Sequence, residues 1–171
     1  MRIGVVSDTH LKDGTLLPAD LFEALAGVDG IVHCGDITDL SVLRALERVA
    51  PVDAVHGNMD PPVTRRAVPG ARLIRLAGFV IGVAHGSGGP AGLAERVLRQ
   101  FPGERLDALL FGHSHQAETR TVGQVVVLNP GCPVANSFSY QRTVGVVHLG
   151  DDVRAEIIRL DSSAGGGRGG G

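Results

Sequence analysis

One short pattern occurs five times along this chain of 171 residues. Each time, an apolar run of strand length is followed by Asp, Asn or His, usually beside a glycine. The runs and the residues that follow them are Arg2–Val6 with Asp8 and His10, Gly30–Cys34 with Asp36, Val52–His56 with Asn58, Phe79–Ala84 with His85, and Ala108–Phe111 with His113 and His115. Open α/β sheets bind ligands outside the carboxyl ends of their strands, so we predict that these side chains meet in one site.

The residue types at these strand ends predict a metal centre. Members of the pairs Asp8/His10 and His113/His115 are two residues apart, so an extended backbone directs both to one side. Oxygen and nitrogen donors without cysteine suit Mn²⁺, Fe, Zn²⁺ or Co²⁺. The set is too large for one ion with an open position, and it suits two ions sharing a carboxylate. Each motif alone is more often a turn, a cap or a structural histidine, and the joint pattern carries the prediction.

The order of elements predicts an α/β fold. The first three strands alternate with a helix that opens at Pro18 and another that Asp39 or Ser41 can cap, which favours a parallel sheet with right-handed crossovers. After the third strand, Val63–Gly70 is predicted to be an exposed excursion. The pair Arg65-Arg66 in it is interpreted as solvated rather than as a phosphate clamp.

The second half of the chain is predicted to be mostly antiparallel. Three hairpins are indicated by strand-like runs on either side of short turns, at residues 72–84, 119–128 and 143–160. Two sheets packed face to face are the expected result. We predict one domain over residues 1–160, followed by a flexible Gly-rich tail over residues 161–171.

Composition excludes several classes of protein. A net charge of −2 argues against broad nucleic-acid binding, which requires a basic surplus. No signal-peptide pattern precedes the first strand, and no apolar run approaches the ~20 residues of a membrane span. Cys34 and Cys132 form no C-x-x-C pair, which suits a reducing compartment. We therefore predict a cytoplasmic protein that does not enter a membrane.

The ordered motifs carry a family resemblance. Asp8-x-His10, Gly35-Asp36, Gly57-Asn58, His85-Gly86 and Gly112-His113-Ser114-His115 resemble those of the calcineurin-like metallophosphoesterase superfamily. The small size, Gly57-Asn58-x-Asp60 and Asn129-Pro130-Gly131 resemble its compact bacterial and archaeal phosphodiesterase branch. The resemblance extends over Met1–Leu160. It implies a four-layer α-β-β-α sandwich with two mixed β-sheets.

The resemblance also implies a cofactor and a reaction. Two divalent ions are expected, Mn²⁺ foremost, with Fe, Zn, Co or Ni as alternatives. The implied reaction is hydrolysis of a small phosphodiester by a hydroxide that bridges the ions, with Asp36 and Asn58 as catalytic residues. The implied ligands are Asp8, His10, Asp36 and His115 for one ion, and Asp36, Asn58, His85 and His113 for the other, with Asp36 as the bridge.

Position 59 departs from the superfamily pattern. Many members have His after Gly-Asn, thought to protonate the leaving group, and the compact branch often has Cys. Met59 has no proton to give, so weak activity is expected on substrates with poor leaving groups. Asn58, His56 and Met59 are predicted to contact substrate, although simple packing remains an alternative for His56.

Two other functions remain open from the sequence. A eukaryotic member of the superfamily, a retromer subunit, keeps the fold and is regarded as a scaffold, so a protein-binding module is one alternative. A phosphomonoesterase is the other, since it would share the site and differ only in the shape of its pocket. The resemblance leaves a homodimer or a homotetramer open as well.

Overall fold

The computed structural model describes residues 1–135 and 141–160, which form two five-stranded sheets. The strand order is β10-β9-β1-β2-β3 in the first sheet and β4-β5-β6-β8-β7 in the second. The predicted tail, residues 161–171, lies outside the described residues. The strands are β1 Arg2–Val6, β2 Gly30–His33, β3 Val52–Ala54, β4 Ala71–Leu76, β5 Phe79–Ala84, β6 Ala108–Leu110, β7 Glu118–Val122, β8 Val125–Asn129, β9 Thr143–Leu149 and β10 Val153–Arg159.

Each sheet contains three parallel strands. In the first sheet, β1 pairs with β2 and β2 with β3 in parallel, whereas β9 and β10 join antiparallel beyond β1. In the second sheet, β5, β6 and β8 are parallel, and β4 and β7 are antiparallel edge strands. Both sheets are therefore mixed, as the family resemblance implies.

Helices cover the outer faces of the two sheets. Helix α1 (Ala19–Ala24) and helix α2 (Leu40–Leu46) bury Leu21 and Leu46 in an apolar cluster on the first sheet. Helix α4 (Leu93–Leu98) packs on the second sheet, and a central cluster that includes Val5 and Leu110 lies between the sheets. These layers make an α-β-β-α sandwich, and the predicted fold class is confirmed. No helix in the described ranges has the length and hydropathy of a membrane span.

The region after β3 is mostly exposed, as predicted, but it also contains a helix that the sequence did not indicate. The segment interpreted as an exposed excursion contains helix α3 (Pro62–Ala67). Proline at the first helical position has the φ angle that a helix requires and lacks only an N–H that would be unpaired there. The helix is fixed by Thr64, which is 0% exposed, and Val68 packs against the first sheet's cluster. Val63 is 55% exposed, so the helix shows no apolar stripe in the sequence.

Candidate metal centre

The seven predicted ligands all follow strands at the same edge of the sandwich. Strands β1, β2 and β3 of the first sheet deliver Asp8, His10, Asp36 and Asn58, and strands β5 and β6 of the second deliver His85, His113 and His115. The site therefore lies where the carboxyl ends of both sheets meet.

The backbone turns sharply at most of these residues. Five of them have φ angles between 50° and 78°, which lie in the left-handed region: Asp8, His10, Asp36, His113 and His115. That region costs a non-glycine residue about 1–2 kcal/mol, although Asp and His tolerate it better than most types. Strain gathered at the strand ends is typical of a functional site.

A first cluster joins Asp8, His10 and His115. The distance from Asp8 Oδ1 to His115 Nε2 is 3.2 Å, and the distance to His10 Nε2 is 3.8 Å. The two Nε2 atoms of His10 and His115 lie 3.2 Å apart. This arrangement offers three donor atoms to one cation.

A second cluster joins Asp8, Asp36 and His85. His85 Nε2 lies 3.2 Å from Asp36 Oδ2 and 3.8 Å from Asp8 Oδ1. Asp36 Oδ2 also lies 3.6 Å from His10 Nε2 in the first cluster. Both carboxylates therefore face histidines of both clusters, as a bridging ligand must.

Asn58 and His113 extend the second cluster. Asn58 Oδ1 lies 3.0 Å from His113 Nδ1, and the ring centroids of His113 and His85 are 5.3 Å apart. A hydrogen bond of 3.0 Å from the backbone N–H of His113 to Asp8 Oδ2 ties this pair to the first strand.

Main-chain groups select which atom of each ligand faces the centre. Because carbonyl oxygens only accept, His85 Nδ1 donates to Cys34 O at 2.8 Å and His113 Nε2 donates to Gly88 O at 2.9 Å. This leaves the lone pairs of His85 Nε2 and His113 Nδ1 for a cation. Similarly, the N–H of Met59 binds Asp36 Oδ1 at 2.7 Å, so Asp36 Oδ2 is the oxygen that faces the histidines.

Donor atoms without partners indicate that a cation fits here. Asp8 Oδ1 and His85 Nε2 are buried, and neither has a hydrogen-bond partner among the described residues. Asn58 Oδ1 and His113 Nδ1 are both acceptors, yet they face each other. Unpaired polar atoms are costly when buried, as Asp8 Oδ1 and His85 Nε2 are, and divalent cations bound here would satisfy these four ligand atoms.

The charges in the centre also favour cation binding. Burial raises the pKa of Asp8, but the imidazoles of His115 and His85 outweigh it and hold this pKa below its ordinary value. Burial likewise raises the pKa of Asp36, but His85, the Met59 N–H and His10 together hold this pKa below its ordinary value. Burial lowers the pKa of His10. Ionised carboxylates and a neutral imidazole are the forms that bind metal ions.

The pKa of His85 shifts in the opposite direction from that of His10. Burial lowers the pKa of His85, but the carboxylates of Asp36 and Asp8 raise it above its ordinary value. Because the same lone pair would bind a proton or a cation, acid competes with the metal at this residue.

A cleft of about 500 Å³ opens over the centre. Its lining consists of His10, Asp36, Asn58, Met59, His113, Ser114 and His115. His56 lies apart from this cleft, in an adjoining depression of about 210 Å³ that shares Asn58 and also contains His85 and Arg65. Of the predicted substrate contacts, Asn58 and Met59 therefore line the cleft, and His56 lines its neighbour.

Several residues outside the predicted ligand set support the centre. His33 is fully buried, which lowers its pKa to about 3, and the neutral ring accepts the N–H of Gly35 at 3.3 Å and bonds Thr9 Oγ1 at 3.2 Å. The Cys132 thiol donates to Asp8 O at 2.9 Å. Asn129 Nδ2 donates to Gly112 O at 2.9 Å. Only Asn129 had a signal in the sequence, as part of Asn129-Pro130-Gly131.

The fold and the candidate ligand groups together are those of a metallophosphoesterase sandwich. Residues 1–152 match the family model of the calcineurin-like phosphoesterase superfamily domain. The chain belongs to this superfamily.

Two archaeal relatives are similar over nearly the whole chain. A probable metallophosphoesterase of Methanothermobacter thermautotrophicus is 36% identical over 93% of this chain and 92% of its own length. A probable metallophosphoesterase of Methanocaldococcus jannaschii is 38% identical over 94% of this chain and 82% of its own length.

Solved structures share the fold at lower identity. An archaeal phosphodiesterase aligns with a TM-score of 0.74 at 22% identity, over 94% of this chain and 100% of its own. Vps29 of Entamoeba histolytica, crystallised with zinc, aligns with a TM-score of 0.71 at 21% identity, over 94% of this chain and 100% of its own.

Proposed function

We propose that this protein is a phosphodiesterase that depends on two divalent cations. The observation that carries the proposal is the pair of buried ligand atoms Asp8 Oδ1 and His85 Nε2. They lie 3.8 Å apart beneath an open cleft, and neither has a hydrogen-bond partner in the part of the chain that the structure describes. Two cations in such a site supply a hydroxide at neutral pH and withdraw charge from the phosphoryl group. The similarity in fold to an archaeal phosphodiesterase favours a diester as substrate.

Each side chain has a distinct role in this proposal. Asp8, His10 and His115 hold one cation together with Asp36, and His85, Asn58 and His113 hold the other with Asp36 as the shared ligand. Asp36 suits this role because Oδ1 is occupied by the Met59 N–H and Oδ2 faces His10 and His85. Asn58 can use its carboxamide oxygen for the cation and its Nδ2 for a phosphoryl oxygen.

The first test is a substrate panel on metal-stripped protein. We expect no hydrolysis without metal, and Mn²⁺-stimulated hydrolysis of bis(p-nitrophenyl) phosphate that exceeds hydrolysis of p-nitrophenyl phosphate. Each divalent ion (Mn²⁺, Fe²⁺, Zn²⁺, Co²⁺ and Ni²⁺) is assayed separately by release of p-nitrophenolate. A faster monoester reaction would contradict the diester preference, and no stimulated hydrolysis with any ion would overturn the enzymatic proposal.

The scaffold alternative is favoured by one specific observation. Met59 stands where many members of the superfamily have a proton donor, and its side chain is 61% exposed at the cleft. A protein-binding module on this fold would present such an apolar side chain to a partner. That alternative predicts metal binding without hydrolysis in the same panel, so one experiment separates the two functions.

A second test concerns His56. The adjoining depression shares Asn58 with the cleft, so part of a bound diester can extend towards the half-buried His56 ring. We expect His56→Gln to raise KM about tenfold and to change kcat less, because a lost hydrogen bond to a charged group costs roughly 1.5–3 kcal/mol. His148→Gln is the matched control, since His148 lies on β9 and pairs with Glu156 away from the cleft. Equal KM values in both variants would show that His56 serves packing alone.

A further inference from the structure

The turn after β3 carries one predicted ligand and one main-chain group of the centre. It supplies the Asn58 side chain, which faces His113, and the Met59 N–H, which binds Asp36. Strand β3 has only three residues, so the ladder ends well before Asn58. Something other than the sheet must therefore hold the turn in place.

One support for the turn is the buried carboxylate of Asp60. Asp60 is 3% exposed, and its two oxygens accept the N–H of Gly57 at 2.7 Å and the N–H of Thr38 at 2.6 Å. These bonds attach the start of the turn to the loop after β2. They leave the carbonyl groups on either side of Met59 to other donors.

The other support is the guanidinium of Arg65. Its Nη2 donates to Asn58 O at 2.6 Å, and its Nε donates to Asp60 O at 2.7 Å. The planar fork therefore spans Met59 and holds the carbonyls of the residues before and after it. Arg65 lies on α3, which the buried Thr64 anchors, so the turn is fixed to a rigid element. Arg65 is exposed, as predicted for the solvated pair, and in addition it makes these two hydrogen bonds to the main chain.

Arg66 provides a natural comparison on the same helix. It is exposed like Arg65, but its guanidinium makes no hydrogen bond or ion pair within the described ranges. Both residues have the same charge and lie next to each other, so any difference between their variants reports the bonds to the turn and not the local field.

We propose that Arg65 is a positioning residue that sets Asn58 and the Met59 N–H for the cation shared by Asp36, His85, Asn58 and His113. This inference rests on the proposed two-cation function. The cation held by Asp8, His10, Asp36 and His115 would receive no side-chain ligand from the turn and would depend on it only through the Met59 N–H bound to Asp36, so we expect Arg65 to act mainly on the other cation. Lysine cannot replace the planar fork, because its ammonium is a compact point charge.

Calorimetric titration of metal-stripped protein with Mn²⁺ tests the proposal directly. We expect two binding events in the wild type. In Arg65→Gln, one event keeps its affinity and the other weakens about 10–100-fold, the usual effect of losing a group that orients a ligand. For Arg65→Lys, we expect the affinity of the weakened event to lie between those of Arg65→Gln and the wild type. For Arg66→Gln, we expect both affinities to match the wild type. Mn²⁺ electron paramagnetic resonance should change from a coupled pair to a single-ion spectrum in Arg65→Gln at equal loading.

Thermal unfolding of the metal-free variants distinguishes positioning from general destabilisation. The proposal stands if Arg65→Gln unfolds within a few degrees of Arg66→Gln and loses one event only. It is overturned if both events weaken together, if neither changes, or if the wild type binds a single cation. Wild-type protein that binds two cations without hydrolysing any ester removes the proposed function and leaves the role of Arg65 standing. If the wild type is active and Arg65→Gln binds both cations with unchanged affinity, the proposed function stands and the role of Arg65 is refuted.

Discussion

Asp36→Asn is expected to lower kcat/KM for an aryl phosphodiester by about 10³-fold or more. Asp36 Oδ2 lies 3.2 Å from His85 Nε2 and 3.6 Å from His10 Nε2, so it is placed to serve both proposed cations. An amide has nearly the same shape but no negative charge to share. Loss of several kcal/mol of transition-state stabilisation corresponds to this factor, because about 1.4 kcal/mol is tenfold in rate.

Metal content provides the second measurement for Asp36→Asn. We expect elemental analysis to find fewer bound ions in the variant than in the wild type. The metal-free fold should be retained, because an amide oxygen can still accept the Met59 N–H. Asp151→Asn, in the exposed turn between β9 and β10, controls for the loss of one negative charge. A variant with two tightly bound ions and activity within about tenfold of the wild type would refute the bridging role.

Met59→His is expected to raise the rate on an alkyl phosphodiester by about 10²-fold. General acid catalysis contributes about 10²–10⁴-fold when a proton must reach the leaving group. Met59 lines the cleft beside His10 and Asn58, so an imidazole there would reach a departing alkoxide. An aryl leaving group needs little protonation, and its gain should therefore be at least about tenfold smaller.

The ratio of the two substrates is the measurement that decides the role of position 59. Met59→Leu keeps an apolar side chain without a proton and should leave the alkyl-to-aryl ratio at the wild-type value. In Met59→His, the gain should disappear as pH rises above the ordinary imidazole range, since the donor form is then lost. Equal gains on both substrates, or no gain on either, would refute the missing-acid explanation.

Strand runs and strand-end residues could be predicted because both are local patterns. Alternating helices and apolar runs predicted the parallel strands β1, β2 and β3, and Asp, Asn and His after each run predicted which side chains lie near one another. The parallel pairing of β5, β6 and β8 was not predicted from this alternation. Helix α3 could not be predicted, because its anchor is a single buried threonine rather than an apolar stripe. A proline start and one buried Thr64 are not distinguishable from a loop in the sequence alone.

The atom of each histidine that faces the centre could not be predicted from the sequence. Nε2 of His85 and Nδ1 of His113 face the centre because Cys34 O and Gly88 O accept the opposite ring N–H groups. Both acceptors are main-chain atoms, which carry no residue-specific signal. The role of Arg65 is hidden for the same reason, since it binds the carbonyls of Asn58 and Asp60.

The donors come from both sheets, which limits how this chain can be divided. A cut between α3 and β4 would put Asp8, His10, Asp36 and Asn58 on one fragment, and His85, His113 and His115 on the other. Neither fragment would carry a whole chelating set, and β9 and β10 would be severed from the sheet they complete. Circular permutants that keep both fragments linked would preserve chelation, whereas a shortened chain that retains one sheet alone would not.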